Sequence, residues 1–170
     1  MFDIGSYVSY RSEGVCKISD IRRENFGALG KETLYYVLTP IGDEKSTFFV
    51  PTDNEKLVSM MRKVLSEDEI YELIREVAKR EYEWIDDSKR RGAHFKEILA
   101  NGEREELVFL VRCVNRHIYE QTAAGKKVYV TDISAMKRAN KLLFDEFSRI
   151  IPMSSPEDMT ALIEKICNEK

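Results

Sequence analysis

The chain has 170 residues, of which 43% are hydrophobic and 34% charged, so its composition is that of a globular protein and excludes a disordered one. No apolar run approaches the roughly 18–20 residues that a membrane-spanning helix needs. The first residues lack the basic and apolar segments of a signal peptide. The net charge of −3 gives no overall nucleic-acid signature, so any such contact must be local. We expect a cytoplasmic protein without a membrane partner, with reduced thiols at Cys16, Cys113 and Cys167.

Residues 4–51 contain four short runs that are typical of β-strands. Turn residues separate them: Gly14 can adopt a positive φ, and a longer hairpin loop contains Gly27 and Gly30. The predicted strands cover residues 6–10, 15–21, 34–39 and 46–50. Short strands at this spacing predict a small antiparallel β-barrel, and the edges of its sheet could accept a partner strand.

From residue 66 onwards, apolar residues repeat at the spacing of amphipathic helices. Ser66 and Glu69 form a capping box at the start of the first helix. The segment that contains Trp84 is expected to be helical and to end at Gly102. Residues 125–130 are expected to form a connector, and Thr131 or Asp132 is expected to cap the helix that follows.

These patterns predict two domains of different type. A small β domain covers residues 1–55, a linker lies at about residues 56–65, and an all-helical domain covers residues 66–170. The change from the strand period of two to the helical period of 3.6 marks the boundary. The predicted fold class is therefore α+β, with an N-terminal antiparallel β-barrel followed by helices.

Catalytic and metal-binding patterns find little support in the sequence. His94 and His117 are the only histidines, and neither lies at a metal-ligand spacing or beside a nucleophile motif. Asp86 and Asp87 are adjacent in a predicted helix and point in different directions, which is poor geometry for a catalytic pair. The glycine-containing segment 27–30 precedes no helix, so no phosphate-binding loop is predicted. We expect no enzyme activity, catalytic residue, metal, cofactor or small-molecule substrate.

The stretch of residues 83–91 combines the only tryptophan of the chain with a cluster of cations. Trp84 offers an apolar face and one N–H donor. Lys89, Arg90 and Arg91 carry the charge that a phosphate backbone attracts. From residue 84 to residue 127 there are nine lysines and arginines against seven acidic residues, whereas the whole chain is negative. Two interpretations are open: Trp84 packs in the core with its cations in solvent, or the stretch contacts nucleic acid.

Several groups of residues form patterns of greater specificity. At the N-terminus they are Phe2-x-x-Gly5-x-x-Val8-x-Tyr10-x-x-x-Gly14-Val15-x-x-Ile18, Tyr35-Tyr36-Val37-Leu38 and Phe49-Val50-Pro51-x-Asp53-Asn54. In the helical part they are Trp84-Ile85-x-Asp87-x-Lys89-x-Arg91-x-x-x-Phe95-Lys96-Glu97-x-Leu99 and Gly125-Lys126-Lys127 with Asp132. Over nearly the full chain these patterns resemble the CarD/CdnL family of bacterial RNA polymerase-binding transcription regulators. The N-terminal pattern alone is shared with the polymerase-interacting module of transcription-repair coupling factors.

This resemblance implies a Tudor-like N-terminal domain that docks on the β subunit of RNA polymerase. It also implies that the helical domain contacts promoter DNA, mostly without sequence specificity, near the upstream edge of the melted bubble. In the family, a tryptophan wedges into the minor groove while cations hold the backbone, which hinders re-closing of the bubble. The implied function is a regulator that stabilises the promoter open complex and is associated with the nucleoid through polymerase.

The resemblance also implies contact residues. The DNA-binding set is Trp84, Lys89, Arg90, Arg91, Lys126 and Lys127. Because Phe49 replaces a family arginine, we place the polymerase contact at other candidates, namely Arg22 and Arg23, just after the second strand, with Thr47 and Phe49 on the neighbouring strand. The alternative for these residues is an ordinary exposed edge. Two positions depart from many family members: Trp84 lies about one helical turn further from Gly102, and Phe49 replaces an arginine.

A second interpretation keeps the docking role and omits DNA. In it, the chain is a protein-only adaptor that binds RNA polymerase or another partner. Binding to forked promoter DNA that depends on salt and on Lys89, Arg90 and Arg91 would distinguish the two, since phosphate contacts release counterions.

Overall fold

The computed structural model describes residues 1–26 and 32–169, and it divides into two compact units, Met1–Val64 and Leu65–Lys170. Gly27 and Gly30, which were expected in a hairpin loop, lie outside the described residues, as does the segment 27–30. The two units are described separately below.

The N-terminal unit contains an antiparallel sheet with the strand order β4-β3-β2-β1-β5. The four predicted strands are present, and a fifth follows them. Pairing between β2 and β3 continues to Glu24 opposite Thr33, so β2 runs further than its sequence pattern indicates. The strands are β1 (Tyr7–Tyr10), β2 (Val15–Glu24), β3 (Thr33–Pro40), β4 (Phe48–Pro51) and β5 (Met61–Lys63).

One face of this sheet buries the apolar core of the unit. Its members include Val8, Ile18, Leu38 and Val50, each fully buried. A β-bulge between Ile18 and Asp20 shifts the register, which locally bends β2 and changes which of its residues face the core. Gly14, at the turn between β1 and β2, adopts a φ of 75°, as expected for this position.

The predicted linker at residues 56–65 is wrong, because most of it belongs to the N-terminal unit. Helix α1 (Glu55–Val58) begins where the Asn54 side chain accepts a hydrogen bond from the Leu57 N–H at 3.1 Å. Strand β5 then pairs with β1, placing Met61 opposite Tyr10. Both elements are too short to show a clear period, so the sequence gives no strand or helix signal there.

The predicted barrel is not closed in the part of the chain that the structure describes. Strands β4 and β5 form the two edges of the sheet, and no pairing joins them. The α+β class with an N-terminal antiparallel sheet is therefore confirmed, whereas a closed Tudor-like barrel is not. Among the described strands β4 pairs with β3 alone, so its other side is an edge of the sheet.

The C-terminal unit consists of five helices around one apolar core. Ile74, Val111, Leu143 and Phe147 are among its fully buried residues. None of the helices in the described residues is long and apolar enough to cross a membrane. The helices are α2 (Glu67–Ala78), α3 (Ser88–Asn101), α4 (Arg104–Ala123), α5 (Val130–Phe147) and α6 (Glu157–Asn168).

Two of the predicted helix boundaries are confirmed by their capping residues. The Ser66 hydroxyl accepts from the Glu69 N–H, and the Glu69 carboxylate accepts from the Ser66 N–H, completing the capping box of α2. Gly102 ends α3 in the left-handed conformation, with a φ of 65°.

Trp84 was expected within a helix, and it lies instead in the non-helical segment between α2 and α3. Helix α3 begins only at Ser88, because the Asp87 carboxylate accepts a hydrogen bond from the Arg90 N–H at 2.7 Å and so acts as the N-cap. Trp84 therefore lies four residues before the start of α3.

Helix α5 begins at Val130, two to three residues earlier than a cap at Thr131 or Asp132 would allow. The cap position is held by Tyr129, whose side chain makes no capping hydrogen bond. Asp132 does not cap α5 because its carboxylate points to another helix, as described next.

Candidate functional site

Arg91, in the first turns of α3, is buried with 2% of its surface exposed. Its Nε and Nη2 donate to the two carboxylate oxygens of Asp132 on α5, at 3.0 and 2.9 Å. Its Nη1 donates to the backbone carbonyls of Ile85 at 2.7 Å and Asp86 at 3.2 Å. The guanidinium thus joins α3, α5 and the segment before α3 through a bidentate, charge-assisted pair.

Arg91 was expected to contact DNA phosphates, and its position in the structure argues against that contact. Its side chain is buried, and the hydrogen bonds to Asp132, Ile85 and Asp86 use four of the five N–H groups that a guanidinium carries. A phosphate would have to displace a buried carboxylate. The role that the structure gives to Arg91 is to hold the Trp84 segment against α5.

Trp84 is half-buried, and its ring is held by aromatic and cationic neighbours. It stacks on the His117 ring of α4, with centroids 3.6 Å apart and an interplanar angle of 11°. The edge of Phe95 lies against it at 6.4 Å, and the Arg91 Cζ lies 4.7 Å from its centroid. Trp84 therefore packs on the core, as the first interpretation expects, and keeps an exposed portion.

Lys89 and Arg90 are exposed in the first turn of α3. Neither forms an ion pair within residues 1–26 and 32–169. The amino end of a helix carries a partial positive charge, which cations in the first turn oppose and acids support. The first turns of α2, α4, α5 and α6 carry acidic residues, whereas that of α3 carries none. Lys89 and Arg90 therefore add positive charge at the amino end of α3, beside the capping Asp87 carboxylate, and a phosphate would offset that charge.

Lys126 and Lys127 are exposed between the end of α4 and the start of α5. Gly125, with a φ of 68°, terminates α4, and the Lys126 N–H donates to the Gln121 carbonyl at 2.8 Å as in a Schellman motif. Because the Arg91–Asp132 pair joins the first turns of α3 and α5, it brings these lysines to the same end of the unit as Lys89 and Arg90. Asp86 and Glu83 are also exposed there, so the surface is not purely cationic.

The stack of Trp84 on His117 gives the helical unit a pH dependence. Burial and the neighbouring Arg91 charge lower the pKa of His117 below its ordinary value of 6.5, although Asp132, Glu120 and Asp86 act in the opposite direction. The unfolded chain therefore takes up this proton more readily than the folded one. The titration of His117 therefore leaves the free energy of unfolding unchanged above about pH 6.5. Below that pH it lowers the free energy of unfolding, as the pH falls towards the pKa of His117 in the folded chain.

We expect His117→Gln to reduce the loss of Tm between pH 7.5 and pH 5.5, because the variant removes this proton uptake. Thermal unfolding followed by Trp84 fluorescence at the two pH values measures the effect, and His94→Gln is the matched control on exposed α3 surface. An unchanged pH dependence in His117→Gln would contradict the assignment.

The N-terminal unit has an exposed group of aromatic side chains on the outer face of its sheet. The Phe26 ring lies 5.3 Å from that of Tyr35 and 4.8 Å from that of Phe49, and Tyr35 and Phe49 are 6.2 Å apart. The Arg22 guanidinium lies 5.6 Å from the Phe49 centroid. We call these four residues the aromatic patch. Phe26 is 60% exposed, so the patch presents apolar surface next to edge strand β4.

The four predicted polymerase-contact residues are only partly brought together. Arg22 and Arg23 lie within β2, not after it, and β4 is separated from β2 by β3. Arg22 still contacts Phe49 across β3, and it also pairs with Glu24 at 2.7 Å and Asp20 at 3.4 Å. Arg23 and Thr47 are exposed, with Thr47 just before β4.

The aromatic patch contains two residues that sequence reasoning missed. Tyr35 could have been found, because strand alternation places it on the opposite face from the buried Tyr36. Phe26 follows the end of β2, where no period applies, so its position gave no signal.

The comparisons with known proteins concern the N-terminal unit. The model of the CarD-like/TRCF RID domain matches residues 2–65, which corresponds to the N-terminal unit and leaves the helical unit outside the match. No curated protein matches the chain at a significant level. The resemblance noted for the N-terminal motifs is thereby confirmed, and the RID domain is a known RNA polymerase-interacting module. Residues 2–65 of this chain are thus similar to the CarD-like/TRCF RID domain.

Proposed function

We propose that this protein is a non-enzymatic transcription regulator that docks on the β subunit of RNA polymerase and contacts promoter DNA, stabilising the open complex. The observation that carries the proposal is the RID domain at residues 2–65, which supports a polymerase-interacting transcription factor. The cationic end of the helical unit supports the DNA contact. Such a protein would act at the nucleoid, in the cytoplasm.

Strand β4 is the favoured docking edge of the N-terminal unit. An edge strand can pair with a partner's strand through main-chain hydrogen bonds, while neighbouring side chains supply specificity. Phe49 lies on β4, and Phe26 and Tyr35 lie beside it, so the aromatic patch adjoins this edge. Buried aromatic anchors supply much of the binding energy at protein interfaces.

We expect the double variant Phe26→Ala and Phe49→Ala to bind the polymerase β subunit at least about 30-fold more weakly, since truncation of even one anchoring aromatic typically costs about 2 kcal/mol. Co-purification of the full-length chain with the β subunit, followed by titration, measures the affinity. The matched control removes two exposed apolar residues outside the patch, Ile4→Ala and Ile41→Ala. Equal affinity of the patch variant and the control would contradict docking through the aromatic patch.

The proposed DNA contact is electrostatic and independent of sequence. Lys89, Arg90, Lys126 and Lys127 offer up to four phosphate contacts, which hold a duplex without reading its bases. Docking on polymerase raises the local concentration of this surface near the promoter, so weak contacts are sufficient. Stabilising the open complex by only about 1.4 kcal/mol increases its population tenfold relative to the closed one.

One observation favours the alternative of a protein-only adaptor. Trp84 is half-buried and stacked on His117, so a full wedge between bases would require the ring to leave its neighbours. Binding of the chain to forked promoter DNA that decreases steeply with salt supports the DNA contact, because phosphate contacts release counterions. Polymerase binding without any such DNA affinity would favour the adaptor.

A further inference from the structure

Tyr129 and Val130 form an exposed apolar pair at the start of α5. Tyr129 is 58% exposed and Val130 is 76% exposed. Helix N-caps are usually Ser, Thr, Asp or Asn, whose side chains accept a hydrogen bond from the first turn. Tyr129 occupies this position in α5 and makes no such bond. A departure from local preference at an exposed position is typical of a functional contact.

The Tyr129 ring lies in the same cluster as Trp84. The Arg91 Cζ is 5.3 Å from the Tyr129 centroid and 4.7 Å from the Trp84 centroid, so the two rings are within about 10 Å of each other. Of the two, Tyr129 is the ring that extends further into solvent, whereas Trp84 is packed on His117 and Phe95. The main exposed apolar surface at this end of the unit therefore belongs to α5.

The charges around this pair indicate its partner. Lys126 and Lys127 precede it, separated from Tyr129 by Val128, and the Arg91–Asp132 pair connects the start of α5 to the cationic first turn of α3. An exposed aromatic ring among cations is the arrangement by which proteins bind unpaired nucleic acid, with the ring stacking on a base and the cations holding phosphates.

We infer that Tyr129, with Val130, is an apolar contact to unpaired bases at a DNA fork, and that Trp84 supports it from below. This inference rests on the proposed function and adds to it a residue that contacts unpaired bases. Tyr129 stacks on a base that the melted bubble exposes, while Lys126 and Lys127 hold the adjacent backbone. A fully paired duplex offers no such base, so the contact is specific for the fork.

Fluorescence anisotropy with two labelled probes tests this inference: a duplex with unpaired arms at one end, and a blunt duplex of the same sequence. We expect Tyr129→Ala to weaken binding of the full-length chain to the fork by about 5- to 100-fold, the range measured for base–aromatic stacking. Binding to the blunt duplex should change by no more than about twofold. Tyr129→Phe keeps the ring and should bind the fork like the wild type.

The matched control is Tyr119→Ala, because Tyr119 on α4 is 76% exposed and is not among the rings that contact Arg91. If the wild type binds the fork and Tyr129→Ala binds it equally well, this inference is overturned, whereas the proposed DNA contact is not. An equal loss on the fork and the blunt duplex would overturn the contact to unpaired bases. A wild-type chain that binds neither probe would overturn the proposed DNA contact, and this inference with it.

Discussion

Replacing Asp132 by alanine should lower the free energy of unfolding of the helical unit by about 3–5 kcal/mol. The variant leaves the Arg91 guanidinium buried without its carboxylate partner, and both side chains are almost fully enclosed, at 2% and 3% exposure. An unpaired charge at such a position costs far more than the loss of one hydrogen bond. For a unit of this size, the loss corresponds to a decrease in Tm of more than about 10 °C.

Chemical denaturation followed by Trp84 fluorescence measures this prediction, because the only tryptophan of the chain lies in the helical unit. The control is Glu120→Ala, which removes the exposed Arg116–Glu120 pair and should cost less than about 1 kcal/mol. A loss in Asp132→Ala no larger than that of the control would mean that Arg91 and Asp132 do not hold the segment before α3.

The second large effect concerns the first turn of α3. We expect Lys89→Ala with Arg90→Ala to weaken binding to forked promoter DNA by roughly 60-fold at about 0.1 M salt. Each phosphate contact contributes about 0.9 to the slope of log affinity against log salt, so the slope should become shallower by about 1.8. The loss should be similar for different DNA sequences, since phosphate contacts carry no base information.

The matched control for this pair is Lys137→Ala with Arg138→Ala. It removes the same two residue types, adjacent and exposed, from the middle of α5. Both variants change the net charge equally, so a general charge effect would appear in both. If the two variants lose the same affinity and the same salt dependence, the amino end of α3 is not a specific DNA contact.

Features that depend on neighbouring residues could be predicted from the sequence. The capping box of Ser66 and Glu69 and the left-handed Gly102 follow from local hydrogen bonding and backbone freedom, and both are present. The four predicted strands are also present, since alternation is a local pattern. Their ends shifted where cross-strand pairing continued past the pattern, as in β2. Short elements such as α1 and β5 carry no period and were missed.

Features that depend on distant pairs could not be predicted in this way. Arg91 and Asp132 are 41 positions apart, and only folding shows that one neutralises the other. In the sequence, Arg91 looks the same as Arg90, yet one is buried and the other is exposed. Trp84 stacks on His117, 33 positions away, and no local pattern indicates that contact. Only the side-chain partners from other helices distinguish the buried Arg91 from Arg90, which remains a candidate for DNA contact.

The buried and the exposed residues of this part of the helical unit therefore have different roles. Arg91, Asp132 and His117 hold the segment around Trp84, and Lys89, Arg90, Lys126 and Lys127 remain exposed around it. A rigid surface loses little side-chain and backbone entropy on binding, so few contacts suffice for a measurable effect. We therefore expect that variants of the first group reduce stability, whereas variants of the second group reduce DNA binding alone.

The lifetime of a promoter open complex after challenge with a competitor tests the proposed function most directly. We expect the full-length chain to lengthen this lifetime about tenfold or more, since about 1.4 kcal/mol of stabilisation of the open complex is sufficient for a tenfold change. Lys89→Ala with Arg90→Ala should lose the lengthening through the DNA contact, and Phe26→Ala with Phe49→Ala should lose it through the polymerase contact. An unchanged lifetime with saturating wild-type chain bound to polymerase would contradict the account.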